Sequence, residues 1–447
     1  QTDGADSDRA FSYETARLFA SDGAEMDAFG WSVAVSGNTA VIGAVWDDDN
    51  GTDSGSAYVF RFDGADWCQQ QELLPSDGKE YDWFGCSVDI SGDVIVIGAK
   101  YTDDQGADSG AAYVFRLDDP DWVEEAKLLA SDGAAELWFG YTVAISGDAV
   151  LIGAPRDDDC GTWSGSAYVF RFDGSSWFEQ QKLLAADGTA YDWFARAVDI
   201  SGDAAVIGAH WDDDHGSGSG SAYVYRFDGA SWVQEQKLLD SEGAPYEWFG
   251  RAVAVDGDVA VVGAYRDGTN GLESGSACVY RYDGSAWSQS QKLLASDGAE
   301  ADFFGYSVAV GGDVIVIGAD GDDDAGPFSG SAYLFRFNGS SWSQQRKLLA
   351  SDGAPADHLG YSVAIAGDLA LIGAYGNDDL GEKSGSAYVF DLCPADVNSD
   401  GTIDIDDLFA LLAAWGPCDG CAEDLNNDGW VDIDDIFEVL AAWGPCP

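Results

Sequence analysis

The sequence predicts an all-β, seven-bladed β-propeller followed by a small α-helical module. Three observations carry that prediction. Phe-Gly or its stand-in falls at Phe29, Phe84, Phe139, Phe194, Phe249, Phe304 and Leu359, each 55 residues after the last. Within every period the apolar pattern gives four short strands broken by turn residues. After Leu392 this pattern stops and a different, twice-repeated segment begins. One supersecondary unit repeated at a fixed period buries its faces against its neighbours, and a four-stranded antiparallel unit repeated seven times closes best as a propeller.

In the sixth copy the strands are Tyr306–Val310, Val314–Ala319, Ser331–Phe337 and Trp342–Leu349. Gly-Gly-Asp joins the first two, an acidic loop the next two, and Asn-Gly-Ser-Ser the last two; Asn-Gly or Asp-Gly at that place is a strong hairpin signal. The second strand, Val-Ile-Gly-Ala and its variants, is apolar on both faces, as a strand sandwiched between two sheets requires. The fourth, rich in Gln and Lys, is the expected outer edge. Gly98-Ala99 and Gly318-Ala319 suit crowding near the axis. The seventh copy ends at Ser384–Leu392 without a fourth strand, and Leu18-Phe19-Ala20-Ser21-Asp22-Gly23 aligns with Leu73-Leu74-Pro75-Ser76-Asp77-Gly78. A segment from about Phe11 to Ala20 is therefore expected to complete the last blade and remove two free sheet edges. The expected layout is a tail over residues 1–10, the propeller over 11–391 and the terminal module over 392–447.

Composition narrows the function. The chain has 447 residues, 80 Asp plus Glu against 21 Lys plus Arg, and a net charge of −59. Such a field repels nucleic acid and anionic lipid and gathers cations. No apolar run reaches the roughly 18 residues of a membrane span. A start at Gln1 without Met reads as a processed, exported chain, and eight cysteines fit an oxidising, extracellular or cell-surface compartment.

The seven copies of Phe-Gly or its stand-in, each followed by Gly-Ala, from about Phe11 to Asp391 resemble the FG-GAP repeat, the blade unit of integrin α-subunit propellers. Copy four departs with Phe194-Ala195, and Gly153-Ala154-Pro155 is the only full Gly-Ala-Pro. The family's calcium loop lies between the first two strands. Here that place holds only a tight turn such as Ser91-Gly92-Asp93, so those calcium sites do not carry over. Acidic residues stand instead after Gly-Ala, at Asp47-Asp48-Asp49, Asp103-Asp104, Asp157-Asp158-Asp159, Asp212-Asp213-Asp214, Asp322-Asp323-Asp324 and Asp378-Asp379. Antiparallel connectivity puts these loops and the blade-to-blade connections on one face, which is strongly electronegative. Asp47, Asp49, Gly51 and Asp53 alternate as chelating carboxylates do; the two expectations are bound calcium or a solvated acidic rim.

The terminal module holds two oxygen-rich loops. The first offers Asp396, Asn398, Asp400, the Thr402 carbonyl, Asp404 and Asp407; the second Asp424, Asn426, Asp428, the Trp430 carbonyl, Asp432 and Asp435. These are positions 1, 3, 5, 7, 9 and 12, with Gly at 6, of an EF-hand-like loop, so two calcium ions are expected. Each loop runs into one amphipathic helix, Leu408–Trp415 and Ile436–Trp443, with no helix before it. This arrangement resembles a type I dockerin. The resemblance implies a cohesin-type partner contacted at loop positions 10 and 11, which are Ile405-Asp406 and Ile433-Asp434 in place of the usual Ser-Thr. The expected partner is a cohesin-like module or another copy of the chain.

Antiparallel helices would favour Cys393–Cys446 and Cys418–Cys421, with pairing inside each repeat the alternative; Cys68–Cys86 is the pairing expected among the blades. Catalysis finds little support. The three histidines, His210, His215 and His358, form no triad, and near-identity of the copies argues against one asymmetric site. The recurring Arg61, Arg116, Arg171, Arg226, Arg281 and Arg336, with Lys127, Lys182, Lys237, Lys292 and Lys347, read as structural partners of acidic neighbours. The function expected is a non-enzymatic, calcium-binding structural or adhesion protein with a docking tail, able to assemble into a filament or layer. The alternative is a cohesin-docked ligand- or carbohydrate-binding module, with a polysaccharide-active enzyme last.

Overall fold

A computed structural model of the chain describes residues 14–393, 395, 402–417, 425, 430–442 and 444–445. Seven four-stranded antiparallel sheets follow one another around a ring. In blade one the strands are Phe29–Ser36, Thr39–Ala44, Ser56–Phe62 and Trp67–Leu73, hydrogen-bonded in sequence order. The sixth blade has Ser307–Gly311, Val314–Ala319, Ser331–Phe337 and Trp342–Leu348, within a residue of the expected bounds.

The core lies between sheets, not within them. Ala34, Val41 and Val59 of blade one pack with Phe84, Ile95 and Tyr113 of blade two. Every residue of the second strand Thr39–Ala44 is buried, which explains why it carries no polar alternation. The Gly-Ala pair answers to the neighbouring blade more than to the axis. A Cβ on Gly98 would stand 2.0 Å from the Gly140 carbonyl oxygen of blade three, and one on Gly43 would stand 2.1 Å from that of Gly85. The fourth strand is likewise more than a wet edge. The Gln71 amide donates to the Trp122 carbonyl (2.9 Å) and accepts from the Trp122 N–H (2.7 Å), and Gln181, Gln236 and Gln291 make the same two-way bond to the next blade.

The ring closes as the sequence predicts. Blade seven is built from Ser362–Ala366, Leu369–Ala374 and Ser386–Asp391, and the strand Glu14–Leu18 pairs antiparallel with Ser386–Asp391 as its fourth member. Glu14 holds the Ser351 N–H and hydroxyl, just as Glu124 holds those of Ser76. Phe29 bridges Gly385 in the manner of Phe139 and Gly110. The borrowed strand is thus equivalent to the other six outer strands.

Beyond the ring, the helices α1 (Ile405–Ala414) and α2 (Ile433–Ala442) start three residues before their expected first turns. Asp404 caps α1: its carboxylate accepts the Asp406 N–H and its own N–H is held by Asp407, a reciprocal box that fixes the start. Thr402–Ile403 pairs with Gly444–Pro445, and Gly416–Pro417 with Trp430–Val431, so each half is stitched to the other. Cys393, Ala395, Ile403, Leu411, Val431 and Val439 form a small separate core.

The expected Cys68–Cys86 bridge is not formed. Both thiols are free, and Cys68 is exposed while Cys86 is buried on the axial side. Cys160 and Cys278 are also free, and Cys393 is disulfide-bonded. Cys418, Cys421 and Cys446 lie outside the described residues, as does the tail before residue 14. Among the described residues, no helix is long and apolar enough to cross a membrane.

Candidate functional site

Three regions carry unusual chemistry: the acidic loops, the mouth of the axis and the terminal module. In the acidic loops of most blades a lysine stands among the carboxylates, while the outer aspartates of the runs, such as Asp158 and Asp213, are exposed. Lys182 Nζ lies 2.7 Å from Asp132, 2.8 Å from Asp157 and 2.7 Å from Asp159. Lys237 and Lys347 make the same three-carboxylate contact; Lys127 and Lys292 each bridge two. The ammonium ties the loop after Gly-Ala to the Ser-Asp-Gly connection, and buried tyrosines such as Tyr168 donate to the same carboxylates. Burial alone would lower the Lys182 pKa, but Asp132, Asp157 and Asp159 outweigh it and raise it. In blade seven Arg17 of the borrowed strand substitutes, paired with Asp352 and Asp379.

Blade one breaks the rule. Its fourth strand carries Glu72 where five blades carry lysine, so Asp22, Asp49 and Glu72 converge within 4.8 Å with no cation among them. Burial first, then Asp49, Asp47 and Asp22, pushes the Glu72 carboxyl up to about 8. Asp47 itself is buried, accepting from the Tyr58 hydroxyl (2.9 Å) and the Asp49 N–H (2.9 Å), and is not splayed for chelation.

The second region was missed by repeat reasoning. The residue following each Phe-Gly position starts the innermost strand and faces the axis. Around the ring these residues are Trp31, Cys86, Tyr141, Arg196, Arg251, Tyr306 and Tyr361, all lining one cavity of about 240 Å³ together with Lys100. Near-identity of the blades therefore coexists with a chemically asymmetric centre. The signal was present in the sequence as a position beside Phe-Gly that changes chemical class from copy to copy, between aromatic, thiol and guanidinium.

The cavity has two unlike arcs. On one side Tyr306, Tyr361 and Trp31 form an aromatic run, with ring centroids 5.1 and 4.9 Å apart, extended by Tyr375 at 4.5 Å from Tyr361. On the other stand Lys100, Arg196 and Arg251. Lys100 is 8% exposed and its ammonium lies 4.4 Å from the Trp83 ring and 4.8 Å from that of Tyr141; Arg196 stacks on Tyr141 (4.4 Å) and Arg251 on Tyr306 (4.5 Å). Among the described residues none of these three cations has a carboxylate within 4.0 Å, although the chain holds nearly four acidic residues for every basic one.

The electrostatic consequences are legible in the neighbours. Burial lowers the Lys100 pKa, and burial with Arg251 lowers that of Arg196. Burial would raise the Tyr141 hydroxyl, yet Arg196, Lys100 and Arg251 together bring it below its ordinary value. His210 is driven well below its usual range by burial and by Arg196 and Arg251, so it is neutral. The centre of an acidic face is thus locally positive.

The residues just before Phe-Gly add a backbone signature. Trp83, Trp138, Trp193, Trp248, Phe303 and His358 all take φ between +55° and +59°. A left-handed conformation disfavours non-glycine residues by about 1–2 kcal/mol each, and Ala28 adopts it too (φ +56°), so the strain belongs to the connection of every blade.

In the terminal module the described donors are Asp404, Asp407, Trp430, Asp432 and Asp435, with the Thr402 backbone. Asp407 and Asp435 are fully buried and accept the N–H of Asp404 and Asp432 at 2.7 Å each. Every donor is an oxygen, which fits a hard cation such as calcium. Asp396, Asn398, Asp400, Asp424, Asn426 and Asp428 lie outside the described residues. Both helices turn apolar side chains outward: Ile405, Phe409 and Leu412 on α1, and Ile433, Phe437 and Leu440 on α2, each about half exposed. The two stripes occupy equivalent positions 28 residues apart.

Comparison with known proteins agrees with the propeller. The FG-GAP repeat family matches at residues 13–60, 67–115, 122–170, 177–225, 232–280, 287–335 and 342–390. Each match runs from the outer strand of one blade through the third strand of the next, the same offset that closes the ring. A chain in a structure titled "Crystal Structure of Mitotic Checkpoint Complex" is similar in fold, with TM-score 0.52, 11% identity, and coverage of 88% of this chain and 95% of that one. A search of curated proteins finds none that matches. Seven consecutive matches spanning the whole ring place this chain in the FG-GAP repeat family.

Proposed function

We propose that the protein is an exported, non-enzymatic interaction protein of the adhesion type. Its propeller serves as a rigid recognition disc, and its terminal module as a calcium-ordered docking element. The observation that carries this reading is the duplicated apolar stripe of Ile405, Phe409, Leu412 and Ile433, Phe437, Leu440. Aromatic and aliphatic side chains held half exposed on equivalent faces of two helices suit a partner surface. Ile405 and Ile433 stand at the loop positions through which dockerin-like modules meet their partners. Calcium at the two loops would be held by Asp396, Asn398, Asp400, Thr402, Asp404 and Asp407, and by Asp424, Asn426, Asp428, Trp430, Asp432 and Asp435. Neutralising those carboxylates would couple the folding of the module to the ions.

Calorimetric titration of the full chain with calcium, followed by size exclusion and electron microscopy with calcium and with chelator, tests the proposal. The expected result is uptake of two ions and a calcium-dependent filament or layer, a head-to-tail contact that need not close. Phe409→Ser with Phe437→Ser should keep the ion uptake and lose the assembly. Absence of calcium uptake rejects the docking element. A chain that takes up both ions yet stays monomeric selects the second reading, a cohesin-docked ligand-binding module, which the lined axial cavity favours.

A further inference from the structure

We propose that the axial cavity binds an anionic saccharide, with the carboxylate of a uronic-acid residue between Arg196 and Arg251 and the sugar ring against Trp31 and Tyr361. The inference concerns the disc alone and stands whether or not the tail binds calcium.

The argument begins with charge. Many of the ring's cations are held by carboxylates: Lys182 by three, Arg116 by Glu125 and Asp93, Arg171 by Asp148. Among the described residues Lys100, Arg196 and Arg251 have no carboxylate within 4.0 Å, which is also true of Arg61, Arg156 and Arg281, but of these six only Lys100, Arg196 and Arg251 line the cavity. Stacking on tyrosine and tryptophan steadies them but leaves their donors unspent; guanidinium forks in a confined site match a carboxylate bidentately.

The second step is shape. The cations occupy blades two, four and five, and the aromatic run occupies blades six, seven and one, so a ligand spanning the cavity meets cations at one end and ring faces at the other. Sugar rings present C–H faces that pack on aromatic surfaces, while hydroxyls of Tyr141, Tyr306 and Tyr361 supply polar contacts along the wall. The volume of about 240 Å³ falls below the roughly 300–1,000 Å³ of drug-sized pockets, which suits one or two sugar residues. The third step is exclusion. The net negative charge of the loops around the cavity opposes any long polyanion, so the ligand is a short oligomer or a chain end that places a single carboxylate in the positive centre.

The test uses the full chain in chelator, which separates this inference from the tail's docking role. Calorimetry and tryptophan fluorescence are followed with a galacturonate dimer, the neutral galactose dimer, benzoate and inorganic sulfate. Uronate should bind at least tenfold more tightly than any of the other three. Arg196→Gln and Arg251→Gln should each weaken uronate binding at least tenfold while leaving the circular-dichroism spectrum and thermal midpoint close to the parent. Should either variant fail to fold, the charge selectivity of the parent decides. Equal affinity for the neutral dimer, equal affinity for benzoate or sulfate, or an absence of uronate binding overturns the proposal. So does undiminished binding in the folded arginine variants.

Discussion

Replacing Glu72 by lysine should stabilise the propeller, because it restores in blade one the clamp that five other blades possess. In the parent, Asp22, Asp49 and Glu72 oxygens lie within 4.8 Å of one another. Two unit charges at that separation repel by about 3.5 kcal/mol at an effective dielectric of 20 and by about 0.9 kcal/mol in bulk water. The rise of the Glu72 carboxyl from 4.5 to about 8 has burial as its largest cause, with repulsion by Asp49, Asp47 and Asp22 supplying the rest. At full weight that is about 5 kcal/mol, but the side chain is only partly buried, and taking out the share due to burial and allowing for screening leaves about 1–2 kcal/mol of repulsion. An ammonium held by Asp22, Asp47 and Asp49 adds about 1 kcal/mol of attraction. Glu72→Lys should therefore gain about 2–3 kcal/mol. With an unfolding entropy of about 2.1 cal/mol/K per residue over the roughly 380 residues of the ring, that is about 3 °C in Tm.

The pH dependence makes the prediction specific. A carboxyl whose folded pKa lies above its unfolded value binds more protons in the folded state between the two. Its penalty is absent below about 4.5, grows as pH rises, and is complete above about 8. Asp27, Asp199 and Asp89, pushed up mainly by burial to about 6, 6 and 7, titrate in the same window, so only the difference between variant and parent isolates Glu72. Urea denaturation followed by tryptophan fluorescence at pH 5, 6.5 and 8 measures that difference. The gap should widen with pH by about 1–2 kcal/mol. A gap that stays constant, or a lysine variant less stable than the parent at pH 8, refutes the clamp argument.

Three further outcomes follow from the same packing. Lys182→Ala leaves Asp132, Asp157 and Asp159 facing one another, with Asp157 buried, and should cost about 2–3 kcal/mol in urea denaturation. Gly98→Ala drives a Cβ to within 2.0 Å of the Gly140 carbonyl oxygen, a backbone atom that cannot swing away, and should cost about 3 kcal/mol or abolish soluble expression. Thiol titration of the native chain should label Cys68 and Cys160 quickly, and Cys86 and Cys278 only after denaturation.

The ring was legible because its determinants are local and sevenfold. Phe-Gly, Gly-Ala and the hairpin turns each recur in register, and the missing fourth strand at one end matches the surplus strand at the other. What could not be read was the chemistry between elements distant in sequence. Lys182 meets Asp132 and Asp157 across two connections, and no spacing rule joins fourth-strand lysines to second-strand loops. The recurring lysines read as partners of acidic neighbours, but which carboxylates each would meet could not be assigned. Cys68 and Cys86 illustrate the same limit: they are near neighbours in sequence, but one faces outward from a fourth strand and the other faces the axis. In the terminal module, six of the twelve expected ligand positions lie within the described residues and six do not.

The asymmetry of the axis has a physical reason. Most positions of a blade are fixed by two neighbours at once: Gly98 by the Gly140 carbonyl, Phe84 by Tyr113 and Phe115, Gln71 by the Trp122 backbone. A substitution there disturbs an interface that recurs seven times, so packing holds the copies alike. The residue after Phe-Gly meets the cavity instead of a neighbouring sheet, and sevenfold packing places no demand on its identity. Seven small or apolar side chains would satisfy the fold. Arg196 and Arg251 do the opposite: two like charges are drawn to the centre of the ring, where burial opposes one of them strongly enough to lower its pKa. Stacking on Tyr141 and Tyr306 steadies both, but no packing between sheets requires two charges there, and burial works against that of Arg196. Residues that cost the fold and serve no interface are the ones whose reason must lie in what enters the cavity.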